Sequence, residues 1–253
     1  MLLNATESGS GPPVVFLHGL LGAGQNFGAI QKALSATHRV LALDLRNHGA
    51  SPHAPTMSYV EMAEDVAETL RAKGAAPASV IGHSMGGKVA MTLAVAHPDL
   101  VTRLLVADIA PVTYATPVFI RYIKAMQAID LRPGLTRREA DAALVEAVPE
   151  PPLRGFLLQN LLFAENPPRW RIAIETIARE MPQIGGWQDP PDLYDGDVLV
   201  LAGEQSDYIK AEDHDRFRAL FPAARFRTMR AGHWLHADDP QGFLAEVRAF
   251  LAA

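Results

Sequence analysis

Four short stretches in the first half of the chain are apolar at nearly every position: Val14-Val15-Phe16-Leu17, Val40-Leu41-Ala42-Leu43, Ser79-Val80-Ile81-Gly82 and Leu104-Leu105-Val106-Ala107. A strand with apolar side chains on both sides needs cover on both sides, which is the situation of central strands in a parallel sheet flanked by helices. Between these runs lie helical patterns. From Ser58 to Gly74 the Ser58…Glu61 pair forms a capping box, Met62, Val66 and Leu70 recur every four residues, and Gly74 supplies the stop. Strand and helix in alternation predict an α/β fold with a mostly parallel, doubly wound sheet.

The alternation breaks after Asp108. The stretch that follows holds most of the chain's 19 prolines, which predict a run of short helices and no strand. Strand patterns return at Val198-Leu199-Val200-Leu201 and at Arg225-Phe226-Arg227-Thr228-Met229, and a closing helix is expected from Gln241 to Leu251. The expected organisation is therefore one core built from residues 1–111 and 191–253, with residues 112–190 inserted as a helical cap. The 253 residues suffice for such a core.

Charge and composition exclude several functions. Net charge is −5 with no cluster of Lys or Arg, so nucleic acid is not an expected partner. The chain has no cysteine, which excludes disulfides, thiolate-ligated metals and thiol catalysis. No H-E-x-x-H or comparable ligand spacing occurs, and neither a metal nor a cofactor is expected. Met1 to Glu7 lacks the pattern of a signal peptide, and no apolar run is long enough to span a membrane. The expected location is the cytoplasm.

Gly82-His83-Ser84-Met85-Gly86 matches G-x-S-x-G, with a strand run before it and a helical run, Lys88 to Ala96, after it. A serine on a sharp strand-to-helix turn exposes its hydroxyl, and the flanking glycines remove side chains that would clash. The helix N-terminus aims backbone N–H groups at developing negative charge. The same stretch through Lys88 spells most of a phosphate-binding G-x-x-x-x-G-K loop. Position 89 is Val, however, where that loop needs Ser or Thr for magnesium. Lys88 is read instead as a helix-surface residue.

With Ser84 as nucleophile, chain order in this kind of sheet places the base after the last strand. His233, in Ala231-Gly232-His233-Trp234, holds that position, and His236 lies nearer the start of the final helix and reads as structural. Two aspartates compete for the acid. Asp207 follows the penultimate strand but falls one residue late for a G-x-x-D turn beginning at Gly203, whereas Asp108 ends the strand run Leu104–Ala107. Phasing favours Asp108 and leaves Asp207 as the alternative. The oxyanion donors are expected to be the backbone N–H of Met85 and that of Leu20, in the loop His18-Gly19-Leu20-Leu21-Gly22.

Taken together these residues resemble the α/β-hydrolase superfamily over nearly the whole chain. Asp44-Leu45-Arg46-Asn47-His48-Gly49-Ala50-Ser51-Pro52 is similar to the D-x-R-N-H-G-x-S-P segment of the YbfF-like esterases and their mitochondrial relatives. The elbow through Lys88 and the stretch Ala231–Ala237 match the same group, most of whose wider superfamily has Gly where this chain has Asn47. The resemblance implies an acid at Asp108, a serine in the turn where Ser206 sits, and activity on small acyl esters. On the same triad, thioester hydrolysis, C–C bond hydrolysis or perhydrolysis are the alternatives, followed by a non-catalytic binding fold. The Leu- and Phe-rich stretch Leu153–Phe163 is either a buried cap helix or the lining for an acyl chain.

Overall fold

The computed structural model describes residues 1–252. Its first half runs β1 (Ala5–Ser8), β2 (Pro13–Leu17), α1 (Gly28–Leu34), β3 (Arg39–Leu43), α2 (Tyr59–Ala72), β4 (Ala78–His83), α3 (Met85–Ala96) and β5 (Val101–Ala107). Next come α4 (Pro117–Gln127), α5 (Arg137–Leu144), α6 (Pro151–Leu158), β6 (Leu161–Leu162), β7 (Arg169–Trp170) and α7 (Ile174–Gly185). The chain closes with β8 (Asp197–Gly203), α8 (Asp213–Leu220), β9 (Ala224–Met229), α9 (Leu235–Asp238) and α10 (Pro240–Ala252).

Seven strands form one sheet in the order β1-β3-β2-β4-β5-β8-β9. Every pairing in it is parallel except β1 with β3. The alternation of side chains along each strand divides the core into two layers. Val14, Phe16, Val40, Ala42, Ile81 and Leu105 pack with Phe27, Ile30 and Leu34 of the α1 side and with Phe243, Val247 and Phe250 of α10. Their neighbours Val15, Leu17, Leu41, Leu43, Val80, Leu104 and Val106 pack on the other face with α2, α3 and Phe217 of α8. Each fully buried Val, Leu or Phe contributes roughly 1.5–3 kcal/mol, so the two layers carry the sheet.

Helix α2 begins as its sequence dictates. The Ser58 hydroxyl accepts from Glu61 N (3.2 Å), the Glu61 carboxylate accepts from Ser58 N (3.1 Å), and Gly74 follows the last turn at φ +56°.

Two strands depart from the sequence expectation. The four-residue β1 is polar (Ala-Thr-Glu-Ser) and half exposed at the sheet edge, so no apolar run announces it. Between β5 and β8 the chain contributes α4 to α7, as the prolines suggest, but also the antiparallel pair β6–β7, Leu161 opposite Trp170 and Leu162 opposite Arg169. Strands of two residues carry no periodicity for a sequence to display. Neither joins the main sheet.

Candidate active site

The residues singled out in the sequence converge where the parallel strands end, the edge at which open α/β sheets place their sites. Ser84 follows β4, Asp108 follows β5, His233 lies in the loop after β9, and Leu20 lies in the loop after β2. Ser84 sits between strand and helix at φ +52°, ψ −122°, a conformation that side chains rarely adopt. The flanking glycines explain how this turn closes. A Cβ on Gly82 would lie 2.2 Å from the Gly86 carbonyl oxygen, and one on Gly86 would lie 2.3 Å from that of Leu17. Either side chain would push the elbow off the sheet.

From Ser84 a chain of contacts runs inward. Ser84 Oγ is 3.0 Å from His233 Nε2, and His233 Nδ1 is 2.8 Å from Asp108 Oδ2. Asp108 is completely buried, also at positive φ (+50°), and its Oδ1 accepts from Gly203 N at 2.9 Å. A carboxylate on Nδ1 keeps the proton there and leaves Nε2 to accept from the serine. Asp207 is exposed to solvent, and the structure brings Asp108 rather than Asp207 to the imidazole.

Three further contacts surround the imidazole. The Ser206 hydroxyl donates to Asp108 Oδ2, the oxygen that also faces His233. The Tyr208 ring stacks on His233 at 3.9 Å and 19°. His83, the variable residue of the G-x-S-x-G turn, donates from Nε2 to the His233 carbonyl oxygen at 2.7 Å, joining the loop of His233 to the elbow. His83 had a signal in its place within the motif and Ser206 in the family resemblance, whereas nothing in the sequence marked Tyr208. His236 lines the cleft beside Phe27, their rings 4.7 Å apart, and does not bond to the serine.

The cleft over Ser84 is lined by Gly19, Leu20, His83, His233 and Trp234 from the core. Phe119 and Tyr122 of α4 and Leu153, Phe156 and Leu157 of α6 cover it from above. The Leu/Phe-rich stretch therefore divides its labour: Leu153 and Phe156 face the cleft, while Leu158 and Leu161 are buried in the core. Among the described residues the backbone N–H groups of Leu20 and Met85 have no acceptor within the chain. Among the same residues no three His, Cys, Asp or Glu side chains come together as a bound metal would require.

Lys88 corrects its sequence reading. It is 1% exposed, and its ammonium donates to the carbonyl oxygens of Gly185 (3.1 Å) and Gly186 (2.7 Å) at the end of α7. The faces of Tyr59 and Tyr114 lie 5.4 and 4.9 Å from it. A helix C-terminus and two ring faces replace the water a surface lysine would have. Burial nonetheless pushes the ammonium down to about 7.

Burial also holds several histidines neutral. His48 is pushed down to about 3, His236 to about 4, and His18 and His83 also fall below the ordinary value of 6.5. Unfolding frees these rings to take a proton near pH 6.5, which the folded protein refuses. Their contribution to stability is thus complete above pH 6.5 and is lost as the pH falls from there toward about 3. The urea midpoint is expected to drop between about pH 7 and pH 5, and an unchanged midpoint would contradict the neutral histidines.

The chain is similar to proteins of known family. A family model described as "alpha/beta hydrolase fold" matches residues 12–240. A mouse protein named sn-1-specific diacylglycerol lipase ABHD11 is 41% identical over 249 residues, spanning 95% of this chain and 81% of the mouse protein. Esterase YbfF of Escherichia coli is 35% identical over 240 residues, spanning 94% of this chain and 92% of that protein. A solved structure described as a marine microorganism esterase superposes with a TM-score of 0.94 at 39% identity, covering 98% of this chain and 99% of its own.

Proposed function

This chain belongs to the alpha/beta hydrolase fold family, and from that premise we propose that it is a serine hydrolase cleaving carboxylic esters of small molecules. The observation that carries the reading is the continuous chain Ser84–His233–Asp108 beneath a cleft with an apolar roof. Ser84 Oγ attacks the ester carbonyl carbon while His233 Nε2 takes its proton, and Asp108 holds the resulting imidazolium. The oxyanion of the tetrahedral intermediate accepts from Leu20 N–H and Met85 N–H. On collapse, His233 returns the proton to the departing alkoxide, so the alcohol leaves and the acyl group stays on Ser84. Water then attacks the acyl-enzyme with His233 as base, and a second tetrahedral collapse releases the acid and restores the serine hydroxyl.

The residues between β5 and β8, within 112–190, serve in this reading as a cap. Phe119, Leu153, Phe156 and Leu157 offer the acyl chain an apolar surface, and their closeness to Ser84 supports that assignment. A fluorophosphonate probe is expected to label the protein once, at Ser84, and p-nitrophenyl esters of graded chain length are expected to turn over. Thioesters and vinylogous diketones run alongside separate the ester reading from other chemistry on the same triad. A protein that neither labels nor turns over any of these substrates would be a binding fold, and the proposal would fall.

A further inference from the structure

The turn that presents Leu20 is bonded on nearly every side. The Gly22 N–H donates to the Gly19 carbonyl oxygen at 3.0 Å and closes the turn. His18 Nε2 accepts from Leu45 N (3.0 Å), which leaves the proton on Nδ1, and Nδ1 donates to the same Gly19 oxygen at 2.8 Å. Leu21, at φ +61°, donates its N–H to His48 Nε2 at 3.1 Å. The carbonyl of Leu21 is taken by the segment that roofs the site: Asn160 Nδ2, fully buried, donates to it at 2.8 Å. Asn160 is itself held, because its own carbonyl accepts from Arg171 N at 2.7 Å, continuing the β6–β7 ribbon.

These contacts form a line. The Leu21 carbonyl and the Gly22 N–H are the two ends of one peptide unit, and the Gly19 carbonyl and the Leu20 N–H are the two ends of another. A hydrogen bond from Asn160 to the first unit aligns it, and that unit's N–H bonds to the second. The second unit's N–H is the group left without an acceptor among the described residues. Peptide units bonded head to tail polarise one another, and each bond also fixes the plane of the next. A donor fixed before the reaction needs no reorganisation when negative charge appears.

We propose that Asn160 is a positioning residue for ester hydrolysis, orienting the Leu20 N–H toward the oxyanion through the Gly22–Gly19 hydrogen bond. The inference rests on the hydrolase reading above and adds a residue of the roof to the machinery that serves the oxyanion. His18 grips the Gly19 oxygen independently, so losing Asn160 loosens the donor without removing it. The loss should therefore fall short of the roughly 10²–10³-fold decline that removal of a whole donor brings.

The test uses Asn160→Asp, which keeps the shape but replaces the donating group with an oxygen, together with Asn160→Ala and Asn160→Ser. Activity is normalised to sites titrated with the fluorophosphonate and measured well below each variant's thermal midpoint. In Asn160→Asp and Asn160→Ala, kcat is expected to fall about tenfold with KM within about twofold. Affinity for an alkyl trifluoromethyl ketone, whose tetrahedral adduct uses the oxyanion donors, is expected to fall in parallel with kcat. A role confined to folding would lower the titrated fraction or the midpoint and leave kcat per site and ketone affinity alone, and that result overturns the proposal. Failure of all three variants to fold would make the contact structural and overturn it equally. A wild-type protein that neither labels nor turns over esters would instead sink the hydrolase reading itself.

Discussion

Ser84→Ala is expected to lower kcat for p-nitrophenyl esters by about 10⁶-fold and to abolish fluorophosphonate labelling, while the protein keeps its fold. The hydroxyl is the only part of the side chain that bonds to His233, so its removal takes away the proposed nucleophile and little else. His233→Ala should cost about as much, because a serine hydroxyl without a base is a poor nucleophile at neutral pH. The double variant should be scarcely worse than either single one if, as proposed, the two groups act in one step. Rates that multiplied across the two substitutions would show independent roles and contradict the shared mechanism.

Asp108→Asn should lower kcat by about 10⁴-fold with the fold intact, while Asp207→Asn should leave kcat within about twofold. The geometry gives the reason. Asp108 Oδ1 accepts the Gly203 N–H, so an asparagine here keeps its amide oxygen on that side and turns its NH₂ toward His233 Nδ1. An imidazole facing a donor at Nδ1 carries its proton on Nε2, where it cannot take one from Ser84. The neighbouring Ser206 hydroxyl does not rescue the tautomer, because it bonds to the carboxylate and not to the ring. Comparable losses at 108 and 207 in the pH–rate profile of both variants would argue against Asp108 as the acid.

What the sequence disclosed depended on how local each signal is. The central strands are apolar on both sides, so a few consecutive residues suffice to mark them, and the Ser58…Glu61 cap is complete within four positions. Ser84 was legible because its strained backbone demands glycines two residues away on either side. His233 needed only chain order. The choice between Asp108 and Asp207 was harder, since both follow strands that end at the same edge, and one residue of phasing is all that separates the readings. Space separates them plainly: Asp108 lies sealed against the imidazole and Asp207 lies in solvent. The misreading of Lys88 has a similar cause, for its acceptors at Gly185 and Gly186 are nearly a hundred residues away. Asn160 looks like any asparagine between a helix and a short strand, and its importance arises only once Leu21, remote in the chain, comes beneath it. The edge strand β1 lacks the apolar pattern because none of its four residues is fully buried.

The ammonium of Lys88 bears on how the roof is held to the core. Ser84 and Lys88 lie one helical turn apart on the same element, and the lysine grips the last carbonyls of α7 where the roof returns to the sheet. The roof is thus riveted at its trailing end to the helix that begins after Ser84. The Gly185 carbonyl also accepts from Tyr114 N at 2.9 Å, so the approach to α4 and the end of α7 meet at the same point. The roof is thereby anchored by a lysine that does not itself line the cleft.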